Sequence, residues 1–323
     1  RDLVVAIDGT SNQFGDHNTN VVELLSRVRV SSSDNQRTYY NCGIGTYVPT
    51  RKGMFKYWTQ RLDNTIDLAV AWNFKKIILK AYRWLSDQYQ PGDKIFLFGF
   101  SRGAYQVRTL AGMIEKVGLV NACNQELIPF AYEVYSDHTK ANVGSDNADK
   151  MANKFKKTFS RNIRIHHVGV WDTVSSVGIV RGKPLPLTSS AEHICIFRHA
   201  LALDERRVKF LPEYVSGGAS AGVAIQTCKY NTLSMSVIDS DTWFSGGGLR
   251  ENLSISFSSV PLLWMENEAT SAGLRLRPRK SGGEWNWDEL EKDKGYESLN
   301  AFWGLLELLT IRHLTYKDAD GTT

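Results

Sequence analysis

The 323-residue sequence lacks several things, and each shortage excludes a class of protein. Cysteine is scarce: Cys42, Cys123, Cys195 and Cys228 lie far apart, with no CxxC pair. That pattern makes neither a disulfide scaffold nor a zinc site, and it fits a reducing compartment. No charge-free apolar run approaches the roughly 18 residues of a membrane span, and no signal peptide is visible, so a cytoplasmic location is expected. Repeats, low-complexity blocks and linkers rich in Pro, Gly or Ser are missing as well. The expectation is therefore a single domain over 1–323, with surface insertions around 136–158 and 216–242 where the chain is polar and aperiodic. Neither charge sign dominates, because 39 basic against 34 acidic residues leave a net +5. Two basic clusters, Lys154-Phe155-Lys156-Lys157 and Arg275-Leu276-Arg277-Pro278-Arg279-Lys280, are candidates for peripheral contact with an anionic membrane surface. They are too short to argue for nucleic-acid binding.

What is present is an alternation of short apolar runs with long helical patterns. Asp2 to Ile7 (DLVVAI) reads as a buried strand that ends at Asp8-Gly9-Thr10. Helices are expected over 21–30, 62–89, from Arg102 to about Val117, and over 261–273. Leu62, Ile66, Ala69, Val70, Ile77, Ala81, Tyr82 and Leu85 fall mostly at the three- and four-residue steps of one helix face. Strands are expected over 94–98 and 163–170, and residues 193–203 and the Trp243-Phe244 region supply further elements. This alternation predicts an α/β fold with a mostly parallel sheet. A helical C-terminal segment over 283–316 carries Trp285, Trp287, Phe302, Trp303, Leu305, Leu306, Leu308 and Leu309. It reads either as an amphipathic helix on the core or as an acyl-binding wall beside a site.

The strand at 94–98 runs into Gly99-Phe100-Ser101-Arg102-Gly103 and then directly into a helix. A strand that turns at once into a helix forces one residue into a strained conformation, and small neighbours relieve the crowding. GxSxG between a buried strand and a helix is the nucleophile-elbow pattern, with the helix N-terminus behind the serine. Ser101 is the candidate nucleophile; the plainer reading is a serine that caps a helix. A nucleophilic serine needs a base and an orienting acid. Asp172, at the end of IRIHHVGVW, is the candidate acid, and its plainer reading is a cap for the next helix. The Asp8-Gly9-Thr10-Ser11-Asn12 loop can offer backbone N–H groups as half of an oxyanion hole, with the N–H of Arg102 as the other half. Haloacid-dehalogenase phosphatases open with DxDGT, but the nucleophilic position is Ala6 here, which excludes them.

Five segments together are more specific than GxSxG. VVAIDGTSNQFGDHNTNVVELL, YYNCGIGTY, IFLFGFSRGAYQVRTLAGMIEKVGL, VGVWDTVSSVG and RHALALDERRVKF resemble an α/β-hydrolase family that includes the catalytic domain of type VI secretion phospholipase effectors. The resemblance runs over about 3–275 and is strongest to fungal members. It implies an α/β-hydrolase fold and a serine esterase or phospholipase mechanism on lipid or other carboxylic esters, with no cofactor and no metal. Carried over by motif, Ser101 is the nucleophile, Asp172 the acid, and Asp8, Gly9, Thr10 and Asn12 line the site.

One departure stands out. The family places its catalytic histidine in a segment like WFxGxHxDxGGG, whereas here the match is Trp243-Phe244-Ser245-Gly246-Gly247-Gly248-Leu249. The histidine belongs between Ser245 and Gly248 and is missing. Three explanations follow: a mobile loop omitted from this sequence, a true deletion that leaves an inactive hydrolase scaffold binding lipid or protein, or a substitute base such as His199 or His313. The first is the expectation, and Arg1 opening a strand without a Met points the same way. His199 reads instead as a structural partner of its own segment.

Overall fold

A computed structural model describes residues 1–9, 18–31, 33–43, 64–136, 145–173, 185, 187–188, 193–202, 231–237 and 259–278. Thr10, Asn12, the segment between Ser245 and Gly248, His313 and the expected helix over 283–316 lie outside the described residues.

Six strands form one parallel sheet in the order β2-β1-β3-β6-β7-β8. They are β1 (Asp2–Ile7), β2 (Gln36–Asn41), β3 (Lys94–Phe100), β6 (Ile165–Trp171), β7 (Ile194–Ala202) and β8 (Asn231–Val237). A two-residue antiparallel pair, β4 (Leu119–Val120) with β5 (Ser160–Arg161), lies apart from it. The central strands are rich in Val, Ile, Leu and Phe because both faces of the sheet are covered, as a parallel sheet requires.

The alternation along β1 and β3 sorts the core into two layers. Leu3, Val5, Ile7, Ile95 and Leu97 face α2 (Asn64–Gln88), α3 (Arg102–Val117), α4 (Ile128–Ser136) and α5 (Ser145–Phe159). Val4, Ala6, Phe96 and Phe98 face α1 (Asn20–Arg27) and α6 (Ser259–Ser271). This is the α/β fold with a mostly parallel sheet that the alternation predicted.

Three elements differ from the sequence reading. Strand β2 was not anticipated, because QRTYYN shows no apolar alternation; it is held as an outer strand by pairing with β1. Within the stretch read as an aperiodic insertion, residues 145–159 are a helix. Its buried stripe is thin, Ala152 and Phe155, and the lysines of its outer face hid the period. Strand β8 falls inside the second such stretch and extends the sheet beside β7. Among the described residues no helix is long and apolar enough to cross a membrane.

Candidate active site

The carboxyl ends of β1, β3 and β6 meet at one rim, which is where parallel sheets collect reactive groups. Ser101 sits at the tip of β3 with φ 54° and ψ −120°, and α3 begins at the next residue. This is a sparsely populated backbone region for a residue with a Cβ, and such strain concentrates at functional sites. An N-cap serine has extended backbone and a side chain bonded to the first turn; Ser101 has neither, as its hydroxyl makes no cap hydrogen bond. The capping alternative is thereby removed.

The flanking glycines are dictated by distance. A Cβ on Gly103 would lie 2.3 Å from the Ile7 carbonyl oxygen and 2.4 Å from that of Asp8. A Cβ on Gly99 would lie 2.6 Å from the Gly103 oxygen. The elbow is therefore pressed against the end of β1, and the Asp8-Gly9 loop abuts the nucleophile turn.

The acid candidate is one strand away. Phe100 pairs with Trp171, so Ser101 and Asp172 are the next residues past a registered pair, on strands about 4.8 Å apart. The Ser101 N–H donates to the Trp171 carbonyl at 2.9 Å, and the Asp172 N–H donates to the Ala200 carbonyl on β7 at 2.9 Å. Asp172 is fully buried and has φ 39°, so the candidate acid and the candidate nucleophile are both among the described non-glycine residues with positive φ.

Asp8 does more than turn the chain. Its buried carboxylate accepts from Gly9 N–H at 2.7 Å, from Thr19 Oγ1 at 2.8 Å and from Tyr40 Oη at 3.1 Å. Thr19 in turn caps α1, accepting from Val22 N–H at 3.4 Å. Burial, and then the adjacent Asp8 charge, raise the Tyr40 phenol above its ordinary pKa. The Gly9 amide, expected among the oxyanion donors, donates to the Asp8 carboxylate in this structure, so Asp8 organises the loop. Thr19 and Tyr40 were missed because hydroxyls carry no motif; their partner, a buried acid at a strand end, was the available signal. Arg102, the first helical residue, is mostly buried, and desolvation lowers its guanidinium pKa.

None of the four described histidines is hydrogen-bonded to Ser101. His166 Nε2 lies 2.8 Å from the Ala272 carbonyl. His167 is fully buried beside the rings of Phe96 and Phe98, and burial pulls its pKa to about 3. His193 is buried, with its pKa pulled to about 4 for the same reason. His199 Nε2 lies 3.3 Å from both the N–H and the hydroxyl of Thr173, and burial, then the Arg108 charge, hold its pKa well below the ordinary value. Among the described residues no group of His, Cys, Asp and Glu forms a metal-binding cluster.

Comparison with known proteins places these features. An uncharacterised protein of Saccharomyces cerevisiae is 36% identical over 220 residues, which are 65% of this chain and 32% of the yeast protein. The chain thus spans about a third of that relative. A crystal structure of an uncharacterised Pseudomonas aeruginosa protein aligns at TM-score 0.46 and 16% identity, over 85% of this chain and 46% of that one. The Saccharomyces cerevisiae peroxisomal α/β-hydrolase Lpx1 aligns at TM-score 0.28 and 8% identity, over 97% and 86%. These two structural likenesses are too low to bear on function. The model of the type VI secretion phospholipase effector Tle1-like catalytic domain matches residues 1–268, the stretch that holds the elbow, the Asp8 loop and the Asp172 strand, and the chain belongs to that family.

Proposed function

We propose that the intact protein is a serine esterase that hydrolyses carboxylic esters of lipids. The observation that carries this is the backbone of Ser101, strained at φ 54° with an uncapped hydroxyl between a buried strand and a helix N-terminus. In this reading Ser101 Oγ attacks the acyl carbon and its proton passes to a histidine base. The oxyanion forms beside the Arg102 N–H and a donor of the Asp8 loop at or after Thr10, with Asn12 lining the same loop. Collapse of the tetrahedral adduct expels the alcohol, which takes the proton back from the base. Water then repeats the sequence on the acyl-enzyme. Asp172 orients the base. His199 is a poor substitute base, since its Nε2 is already engaged by Thr173. The base is assigned to a histidine missing between Ser245 and Gly248.

The reading extends to surroundings. Lys150, Lys154 and Lys157 share the outer face of α5, which supports peripheral contact with anionic lipid. The other side of α5 packs by the C-terminal end of α3, where Lys156 Nζ donates to the Glu115 carbonyl at 2.6 Å, away from Ser101. Contact there would tether the protein and not feed the rim. Among the described residues Cys42, Cys123 and Cys195 form no disulfide, which supports a reducing, cytoplasmic setting.

The second reading is an inactive hydrolase scaffold that binds lipid or a protein partner, favoured by the absent histidine. Fluorophosphonate labelling of the intact protein, mapped by mass spectrometry, separates the two. An adduct on Ser101 is expected. An adduct on another serine overturns the assignment, and no adduct together with no ester turnover leaves the scaffold. Intact mass shows whether residues are present beyond this sequence.

A further inference from the structure

We propose that His199 is a positioning residue for the acid: its Nε2 accepts from Thr173 and fixes the turn that presents Asp172 beside Ser101. The inference rests on the reading of Ser101 and Asp172 as nucleophile and acid. Asp172 holds φ 39° immediately after β6, and a strained residue persists only where its surroundings over-determine it. Consecutive residues of β7 supply that restraint. Ala200 takes the Asp172 N–H at 2.9 Å, and His199 takes the Thr173 N–H at 3.3 Å. Asp172, Thr173 and His199 are all buried, so water does not replace either bond.

The chemistry of the pair fixes the tautomer. A backbone N–H only donates, so Nε2 must carry the lone pair and the ring proton must sit on Nδ1. A protonated ring would turn this acceptor into a second donor facing the Thr173 amide. Burial and the cation of Arg108 both oppose that protonation. Arg108 lies on α3, two turns beyond Ser101, and its guanidinium is anchored on the Thr188 carbonyl, with Nε at 2.8 Å. The nucleophile helix thus helps keep neutral the ring that braces the acid. His199 pairs in register with Val170, on the sheet face that α3 covers. The histidine of RHALAL is thereby given work that needs no proton transfer.

Two variants and two readouts test this in the intact protein. In His199→Leu the Thr173 amide has no acceptor, while in His199→Gln the side-chain carbonyl can replace Nε2. Expected for His199→Leu is a fall of about ten- to a hundredfold in kcat on a p-nitrophenyl ester, with KM little changed. Hydrogen exchange at the Thr173 amide should quicken by about the same factor. His199→Gln should recover most of both. Wild-type kcat and exchange in His199→Leu, or a His199→Gln as impaired as His199→Leu, overturns the proposal. Ser101→Ala and Asp172→Asn are the controls: if they retain turnover, the reading of the site fails instead. If the wild type itself does not turn over, the exchange readout decides alone.

Discussion

Gly103→Ala is the sharpest perturbation of the elbow. The new methyl group would sit 2.3 Å from the Ile7 oxygen and 2.4 Å from the Asp8 oxygen, where about 3.4 Å is ordinary contact. The shortfall is about 1 Å against two backbone carbonyls of a central strand, and neither can rotate away as a side chain would. The first turn of α3 must therefore back away from β1 and carry Ser101 and the Arg102 amide with it. Overpacking of this kind costs about 1–3 kcal/mol of stability. At about 2–4 °C per kcal/mol, the melting temperature should fall by roughly 2–12 °C. A displacement near 1 Å in a reacting group costs about a hundredfold in rate. Activity should thus fall far more than the folded fraction does. The assay pairs ester hydrolysis with a thermal melt; Gly92→Ala, where φ is +91° but nothing lies within 4 Å, carries backbone strain without a clash at the elbow and should lose stability while keeping kcat. A Gly103→Ala protein with kcat within twofold of wild type would refute the claim that the elbow is pressed against β1.

Further outcomes follow from other sites. Asp8→Ala removes the acceptor of three donors in a buried pocket and should cost about 1–3 kcal/mol or more by chemical denaturation; a change under 0.5 kcal/mol would show that the carboxylate braces nothing. His167 and His193 bind protons less readily folded than unfolded, so between their ordinary pKa of 6.5 and about 4 the unfolded chain takes up protons and stability falls as pH falls. Each contributes about 1.4 kcal/mol per pH unit across that window, and His167→Phe should flatten the slope of denaturation midpoints; an unchanged slope would mean the ring is not kept neutral by burial. Replacing Lys150, Lys154 and Lys157 with Ala should weaken partition onto vesicles rich in phosphatidylserine by about fivefold per lysine, less at high salt, and equal binding would remove α5 from the membrane reading.

The sequence made some of this legible for definite reasons. Strands β1 and β3 were readable because they are buried on both faces and so are nearly continuously apolar, and β6 because its β-branched and aromatic residues still outweigh His166 and His167. The elbow was readable because its two glycines answer a steric demand that only glycine meets. Strand β2 was not, because its pairing with β1 is a tertiary fact and QRTYYN carries no period. Helix α5 was hidden by its lysines. Within the site, Ser101 and Asp172 announced themselves by position, but the fate of the Gly9 amide depended on an acceptor in the preceding side chain. The role of His199 likewise depended on register: only the pairing of β6 with β7 brings it to Thr173.

The same register bears on which carboxylate is the acid. A second candidate, Asp204, follows the last residue of β7, Ala202, by two positions in the sequence. Strand β6 adjoins β3, whereas β7 lies one strand further out, so the two strand ends stand about 5 and about 10 Å from the elbow strand. Spacing alone does not choose, because an imidazole with two hydrogen bonds can bridge either gap. In the reading we propose, backbone geometry favours Asp172. It is held at φ 39° by the Ala200 carbonyl, next to a residue braced by His199, and a strained conformation of this kind costs of order 1–3 kcal/mol and is found most often at functional sites. Asp172→Asn should therefore lower kcat by about ten-thousandfold, the loss seen when the acid of such a triad becomes neutral. Asp204→Asn should stay within about tenfold of wild type. The reverse ranking, measured on one ester with both variants folded by circular dichroism, would move the acid to β7 and leave the strain at Asp172 without a catalytic purpose.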